Sequence, residues 1–241
     1  MISFSKHIRS SQTEIMDTFS LQGEEMESLL TDLKRVNTLL GGVGVTTNGI
    51  KELLKHHPKD KKVRIVDLGC GDGELLRQCA LWSRKNKFKV ELIGIDANPH
   101  ILKEAKTRSK MYPEIKYRVL NIFSEEIKTL DVDICLCTLF LHHFKNQDII
   151  KILNTLLAQS RIGLVVNDLH RSKLAFQLFK AFSAIFIRTK TARHDGLVSV
   201  ARGFRKKDLK DLSKDISKDI SVKKHQITWK WAFRYQWLLV K

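Results

Sequence analysis

Val66-Asp67-Leu68-Gly69-Cys70-Gly71-Asp72-Gly73 follows a short β-branched run beginning at Val63. It precedes a helix-like stretch, Glu74 to about Ser83, that buries Leu75, Leu76 and Cys79. Three glycines let the backbone turn tightly and approach a ligand with no Cβ atoms in the way. The helix behind them presents free amides and a positive dipole end. Asp96 lies 23 residues beyond Gly73, at the end of a second strand-like run, Val90 to Ile95. An acidic side chain there can accept hydrogen bonds from ribose hydroxyls. The nicotinamide-type fingerprint needs glycine at position 74, where this chain has Glu74.

The alternation continues outward from this unit. Asn98-Pro99 opens a helix with a capping residue and a proline at the first helical position. Strands are expected near Ile115–Val119, Asp133–Thr138 and Ile162–Val166, with a helix from Asn146 to Ala158 between the last two. Five strands with interleaved helices imply a parallel sheet covered on both faces. A helix carrying Leu209, Leu212, Ile216 and Ile220 follows, then two β-rich runs, Val222–Trp229 and Phe233–Val240. The fold expected is α/β, a doubly wound Rossmann-like sheet of about seven strands, mostly parallel with an antiparallel edge strand.

Two segments lie outside that pattern. Residues 13–40 read as one helix, with Met26, Leu29, Leu30, Leu33, Val36 and Leu40 at three- and four-residue spacing, stopped by Gly41-Gly42. A second short helix follows, capped by Thr47 or Asn48 and burying Ile50, Leu53 and Leu54. The division expected is a helical lid over residues 1–60 and a cofactor-binding domain over 61–241, with a cap inserted at about 170–204. In that cap Phe176, Phe179, Phe182 and Phe186 form an aromatic stripe. Such a stripe packs on a core, covers a greasy ligand or touches a membrane.

The 241 residues are 43% hydrophobic, enough for a substantial core. No run of about 18 apolar residues occurs and the start lacks an apolar signal region, so a cytoplasmic protein is expected. Cys70, Cys79, Cys135 and Cys137 sit in apolar segments as small hydrophobes, and no metal is expected. The net charge of +17 favours anionic partners. Basic residues are spread along the chain and alternate with acids, as in Lys206-Lys207-Asp208, so a solvated surface is the preferred reading. Nucleic acid is not an expected partner, a weak contact with an anionic membrane surface stays open, and the oligomeric state is not legible.

Asp67-Leu-Gly-Cys-Gly-Asp-Gly73 resembles motif I of class I S-adenosylmethionine-dependent methyltransferases, and Gly94-Ile-Asp-Ala-Asn98 resembles the segment that holds the adenosine. By that resemblance Asp67, Gly69, Cys70, Gly71, Gly73, Asp96, Ala97, Asn121, Ile122, Thr138 and Leu139 bind the cofactor, which leaves as S-adenosylhomocysteine. Asn121 stands where family members often have Asp. Leu33-Lys-Arg-Val-Asn-Thr-Leu-Leu-Gly-Gly42, Leu139-Phe-Leu-His-His143, Val166-Asn-Asp-Leu-His-Arg171 and Arg193-His-Asp-Gly196 are similar to a bacterial subgroup of small-molecule methyltransferases. Their genes lie beside those of type III polyketide synthases. The resemblance fades after about residue 208. It implies a phenol, quinone or polyketide-derived acceptor, and O-methylation before C-methylation. An RNA-directed enzyme and a non-catalytic cofactor-binding protein are the rival readings. No Asn-Pro-Pro-Tyr-like motif follows the fourth strand, which argues against amino-methylation of DNA bases.

His142, His143 and His170 are the candidate bases, because imidazole titrates near neutral pH. A purely structural pair at 142–143 is the alternative. Arg35, Asn37, Phe179 and His194 are the candidate substrate and lid residues.

Overall fold

The computed structural model describes residues 2–18, 21–216, 220 and 222–241. Its strands are β1 (Val63–Leu68), β2 (Val90–Asp96), β3 (Ile115–Val119), β4 (Val132–Thr138), β5 (Ser160–Leu169), β6 (Lys224–Lys230) and β7 (Arg234–Val240). They form one sheet in the order β3-β2-β1-β4-β5-β7-β6. The first five run parallel, and β7 lies between β5 and β6, antiparallel to both. In β1, Val63, Ile65, Val66 and Leu68 are all buried, as the near-continuous apolar run of a doubly covered parallel strand requires.

The helices are α1 (Gly23–Leu39), α2 (Gly42–Leu53), α3 (Glu74–Asn86), α4 (Pro99–Arg108), α5 (Asn146–Gln159), α6 (Lys173–Phe186), α7 (Lys190–Arg202) and α8 (Lys206–Lys214). One layer packs Ile50 and Leu54 of α2 with Leu76 and Cys79 of α3 and Leu102 of α4 against the sheet. The other packs Ile149, Leu153 and Leu156 of α5 with Leu209 and Leu212 of α8 around the fully buried Trp237. Because the order reverses between β1 and β4, their C-terminal ends part into a crevice, the usual ligand position of such sheets.

Several sequence expectations change in detail. The segment expected as one helix over residues 13–40 holds a 3-10 turn at Ile15–Thr18 and then α1, with residues 19 and 20 outside those described. The second helix starts earlier than expected, at Gly42 behind Gly41, whose φ of 64° only glycine adopts readily. Thr47 therefore lies inside it, its hydroxyl donating to the Val43 carbonyl at 3.2 Å. At Gly49 that helix touches the sheet so closely that a Cβ would meet Val165 at 2.5 Å. The α8 helix ends at Lys214, short of Ile216 and Ile220, while residues 217–219 and 221 lie outside those described. The insertion after β5 is a pair of helices, α6 and α7, with Phe179 pressed onto Gly196.

Among the described residues no helix is long and apolar enough to cross a membrane.

Candidate active site

The glycine turn joins β1 to α3 at the mouth of the crevice. Gly69 and Cys70 donate their amides to the Ile95 carbonyl at 2.8 and 3.1 Å, which fixes the turn to β2. Gly73 caps α3 at φ 73°, and a Cβ there would overlap the Tyr117 hydroxyl. Asp96 accepts from the Gly71 amide at 3.0 Å and the Asn98 amide at 2.9 Å. At the neighbouring Asp72, Arg77 and Arg108 both donate to Oδ2 at 3.1 Å, clamping the turn.

A cavity of about 510 Å³ runs from this turn to the segment after β4, within the usual range for a ligand site. Asp67, Gly69, Cys70, Gly71, Asp96, Ala97, Asn121, Ile122, Thr138 and Leu139 all line it. Gly73 lies just behind, as the cap of α3. Asp67 is buried, and its Oδ1 has no hydrogen-bond partner. Burial pushes its carboxyl well above the usual range, and the charge of Asp96 adds to that. An orphaned carboxylate beside the cavity suits a ligand with a positive charge, and Asp96 suits ribose hydroxyls. The residues present therefore fit S-adenosylmethionine.

The far end of the cavity is built around two histidines. Leu139, at φ 52°, is a leucine in the left-handed region, and its amide donates to the Asn167 carbonyl at 2.8 Å. Strain of this kind at a strand end commonly accompanies function. After it, the 3-10 turn Leu141–His143 places His142 fully buried and His143 on the cavity wall.

His142 bonds through Nδ1 to Asp168 at 2.7 Å and through Nε2 to Glu14 at 3.2 Å. Burial alone would lower its pKa. The adjacent Asp168 charge, with the bonds to Asp168 and Glu14, reverses this and holds it up at about 9. Burial pushes Glu14 and Asp168 upward, but His142 draws both below their ordinary values. His143 bonds through Nδ1 to Asp17 at 3.0 Å, and its Nε2 lies 3.9 Å from Glu14.

Glu14 and Asp17 come from the N-terminal segment, which is fastened across the site at several points. Arg9 donates to the carbonyls of His142, Phe144 and Arg202 at 2.9, 3.0 and 2.8 Å. Asp195 of α7 accepts from the Ile15 and Met16 amides at 2.8 and 3.0 Å. Ser199 of α7 donates to Glu14 at 2.7 Å, and Arg202 donates to Asp17 at 3.3 Å.

Glu14, His142 and His143 set one carboxylate and two imidazoles within 4.8 Å of one another. The two rings lie side by side, centroids 4.3 Å apart and planes 31° apart.

The remaining candidates lie elsewhere. Asn37 lines the cavity and accepts from the buried Arg234 at 3.1 Å. Arg35 instead joins α1 to the end of α6, donating to Asp32 and to the Phe186 carbonyl at 3.0 Å each. Phe179 packs between α6 and α7 without lining the cavity. His194 pairs with Asp195 at 2.9 Å, and His170 accepts from Trp229 at 3.3 Å against Phe233 and Tyr235, both outside the cavity. The sequence reading missed Glu14, Asp17, Asp168 and Ser199. Asp168 had a signal, since it lies near the end of β5, beside the turn after β4 that carries His142. Glu14 and Asp17 had none, lying in what reads as ordinary helix.

The model of a methyltransferase domain matches residues 59–232. No curated protein matches the sequence. Among solved structures the chain is similar to the plantazolicin methyltransferase BpumL bound to S-adenosylhomocysteine, at 16% identity and TM-score 0.64, covering 90% of this chain and 93% of that one. The magnesium protoporphyrin IX methyltransferase ChlM from Synechocystis PCC 6803 follows at 13% identity and TM-score 0.55, with 87% and 86% covered. The methyltransferase (CMeT) domain of the citrinin polyketide synthase aligns at 15% identity and TM-score 0.57, with 81% and 51% covered. With the matched family model, the glycine turn on β1, the acidic end of β2 and the crevice between β1 and β4, the chain belongs to the class I methyltransferase-domain family, enzymes that depend on S-adenosylmethionine.

Proposed function

We propose that this enzyme methylates an oxygen of a small aromatic or lipophilic acceptor, a phenol, quinol or polyketide-derived hydroxyl, with His143 as the base. The observation that carries the reading is one cavity with two chemically different ends. One end offers the glycine turn, Asp67 and Asp96; the other offers His143 beside Phe144, with Leu30, Leu33 and Phe140 as apolar wall of the same cavity. S-adenosylmethionine, when bound, supplies an electrophilic sulfonium methyl and departs as the neutral thioether.

The protein supplies alignment, water exclusion and a place for one proton. Asp67 and Asp96, with Asn121, Ile122, Thr138 and Leu139 lining the same cavity, would hold the cofactor. His143, oriented through Nδ1 by Asp17, takes the acceptor's hydroxyl proton on Nε2 as that oxygen gains its methyl. His142 is already protonated at neutral pH and cannot accept it. It is a positioning residue that holds Glu14, and with it the N-terminal segment, over the acceptor. In this reading the lid is the N-terminal section through α1, and the cap acts through Ser199 and Asp195 of α7. His170 has no part in the chemistry.

The likeness to methyltransferases of plantazolicin and magnesium protoporphyrin IX, and to a polyketide synthase domain, is consistent with an organic acceptor of this kind. Methyl-labelled cofactor incubated with an extract of the source cells tests the acceptor reading. Label is expected in the organic-soluble fraction, and label in RNA or protein overturns the reading. Replacing His143→Gln should lower kcat by roughly 10²- to 10⁴-fold while S-adenosylhomocysteine still binds.

A further inference from the structure

The cap helix α6 is apolar on two sides. Its inner side packs Ala175 and Phe176 with Val200 and Ala201 of α7, while Ser183 is also buried. Its outer side is a second stripe. Leu174, Leu178, Ala181 and Ile185 follow one another at four, three and four residues, which superposes them on one face of a helix. All four are exposed, Ile185 at 75% and Leu174 at 59%. A surface helix ordinarily turns polar residues outward, so an outward line of two leucines and an isoleucine needs a partner.

The β6–β7 turn adds to this face. Phe233 packs against the cluster of Ala175, Phe176, Val200 and Ala201, which sets the turn beside α6. Trp229 packs edge-on against Phe233, and Trp231 at the tip is 76% exposed. The charged residues here are basic: Lys173 and Lys180 flank the stripe, Arg188 follows the helix, and Lys230 adjoins both tryptophans. No acidic residue occurs from Lys173 to His194, nor from Trp229 to Val240.

We propose that the outer face of α6 and the tip of the β6–β7 turn form a surface that docks on anionic lipid bilayers. Leucine and isoleucine enter the boundary between headgroups and acyl chains, the tryptophans sit at headgroup level, and the lysines meet lipid phosphates. Charge selects this occupant over a second copy of the chain. Two such faces would set Lys173, Lys180 and Lys230 of each copy against like charges, whereas an anionic membrane complements them. The cavity is lined by neither α6 nor the turn, so the stripe does not belong to the site already described. The surface stands on its own observations and shares with the proposed function only the expectation of a lipophilic acceptor, which a membrane would concentrate.

Co-sedimentation with phosphatidylcholine vesicles, with and without phosphatidylglycerol, tests the surface. The expected result is binding to anionic vesicles that weakens with salt, a blue shift of tryptophan emission, and little binding to neutral vesicles. Leu178→Glu should lower the partition coefficient roughly tenfold or more, and Trp231→Ser should lower it and remove most of the blue shift. Both variants should bind S-adenosylhomocysteine as the parent does, which shows that they fold. Absence of binding to anionic vesicles overturns the proposal, as does undiminished binding by both variants. Sedimentation velocity showing a dimer that Leu178→Glu dissolves assigns the face to self-association and also overturns it. Label in RNA together with intact vesicle binding would overturn the acceptor reading and support the surface; methylation of an organic acceptor without vesicle binding would do the reverse.

Discussion

Raising the pH should unfasten the N-terminal segment from the active site, and His142 is the group that decides it. Its pKa is carried from 6.5 to about 9 by Asp168 and Glu14 against the effect of burial. A displacement of that size corresponds to about 3 kcal/mol favouring the folded, protonated state. The folded value lies above the unfolded one, so this stabilisation is complete below about pH 6.5 and decays as the pH rises through about 9. Glu14 and Asp168 show the same pairing from the acid side, where it weakens as they gain protons.

For a chain of this length about 3 kcal/mol corresponds to about 6 to 12 °C in Tm. The assay is thermal unfolding from pH 6.5 to 10 for the parent and for His142→Gln, which cannot titrate there. Thiols, tyrosines and surface lysines contribute to both proteins and cancel in the difference. The gap in Tm should narrow by most of that amount between pH 7 and 10. Protection factors of the amides in residues 2–18, corrected for the intrinsic rise of exchange with pH, should fall over the same range in the parent if the segment leaves before the sheet unfolds. A gap independent of pH would mean that His142 is neutral between its two carboxylates, and the reasoning would fail at its first step.

Other perturbations separate binding from stability. Asp67→Asn removes a buried carboxylate without a partner on Oδ1; it should raise thermal stability and weaken cofactor binding by roughly 10- to 100-fold, read by scanning and titration calorimetry. Gly73→Ala must adopt φ 73° and displace Tyr117, so it should cost about 2 kcal/mol or more in urea unfolding and lose the cofactor. Burial holds the Cys135 thiol at about 12 and Cys79 and Cys137 higher still; a thiol reagent should leave all three unmodified until denaturant is added. Deleting residues 1–40 should abolish turnover while far-ultraviolet dichroism retains the sheet, and unchanged turnover would remove the lid from the mechanism.

The sheet was legible because its signals are local. A glycine turn between a β-branched run and a helix has few physical solutions, and Asn98-Pro99 caps α4 as expected, accepting from the His100 and Ile101 amides. The end of the cavity at the glycine turn was legible for the same reason, since its lining residues follow strand ends. The end at the two histidines was not. Glu14 reaches His142 across 128 positions and Ser199 across 185, and a buried glutamate is written like an exposed one. The boundaries of α2 were misjudged because Gly41 and Gly42 look like a helix stop, whereas Gly41 in the left-handed region starts the next helix. The stripe of Phe176, Phe179, Phe182 and Phe186 is the stronger signal in the sequence, and the outward stripe of Leu174, Leu178, Ala181 and Ile185 runs through the same helix.

The position of β7 governs the order in which the sheet can close. Its residues, Arg234–Val240, follow β6 in the chain and so leave the ribosome after β1 to β6, yet they lie between β5 and β6. Until they emerge, β5 presents an open edge and β6 has no neighbour to pair with, while the space for Trp237 between α5 and α8 stands unfilled. The nascent chain can therefore assemble β1 to β5 and their helices before β7 emerges, but must wait for β7 to seal the sheet. An open edge of that kind invites pairing with other chains. Substitutions that weaken β7 should consequently affect yield and aggregation more than equal changes at the β3 edge.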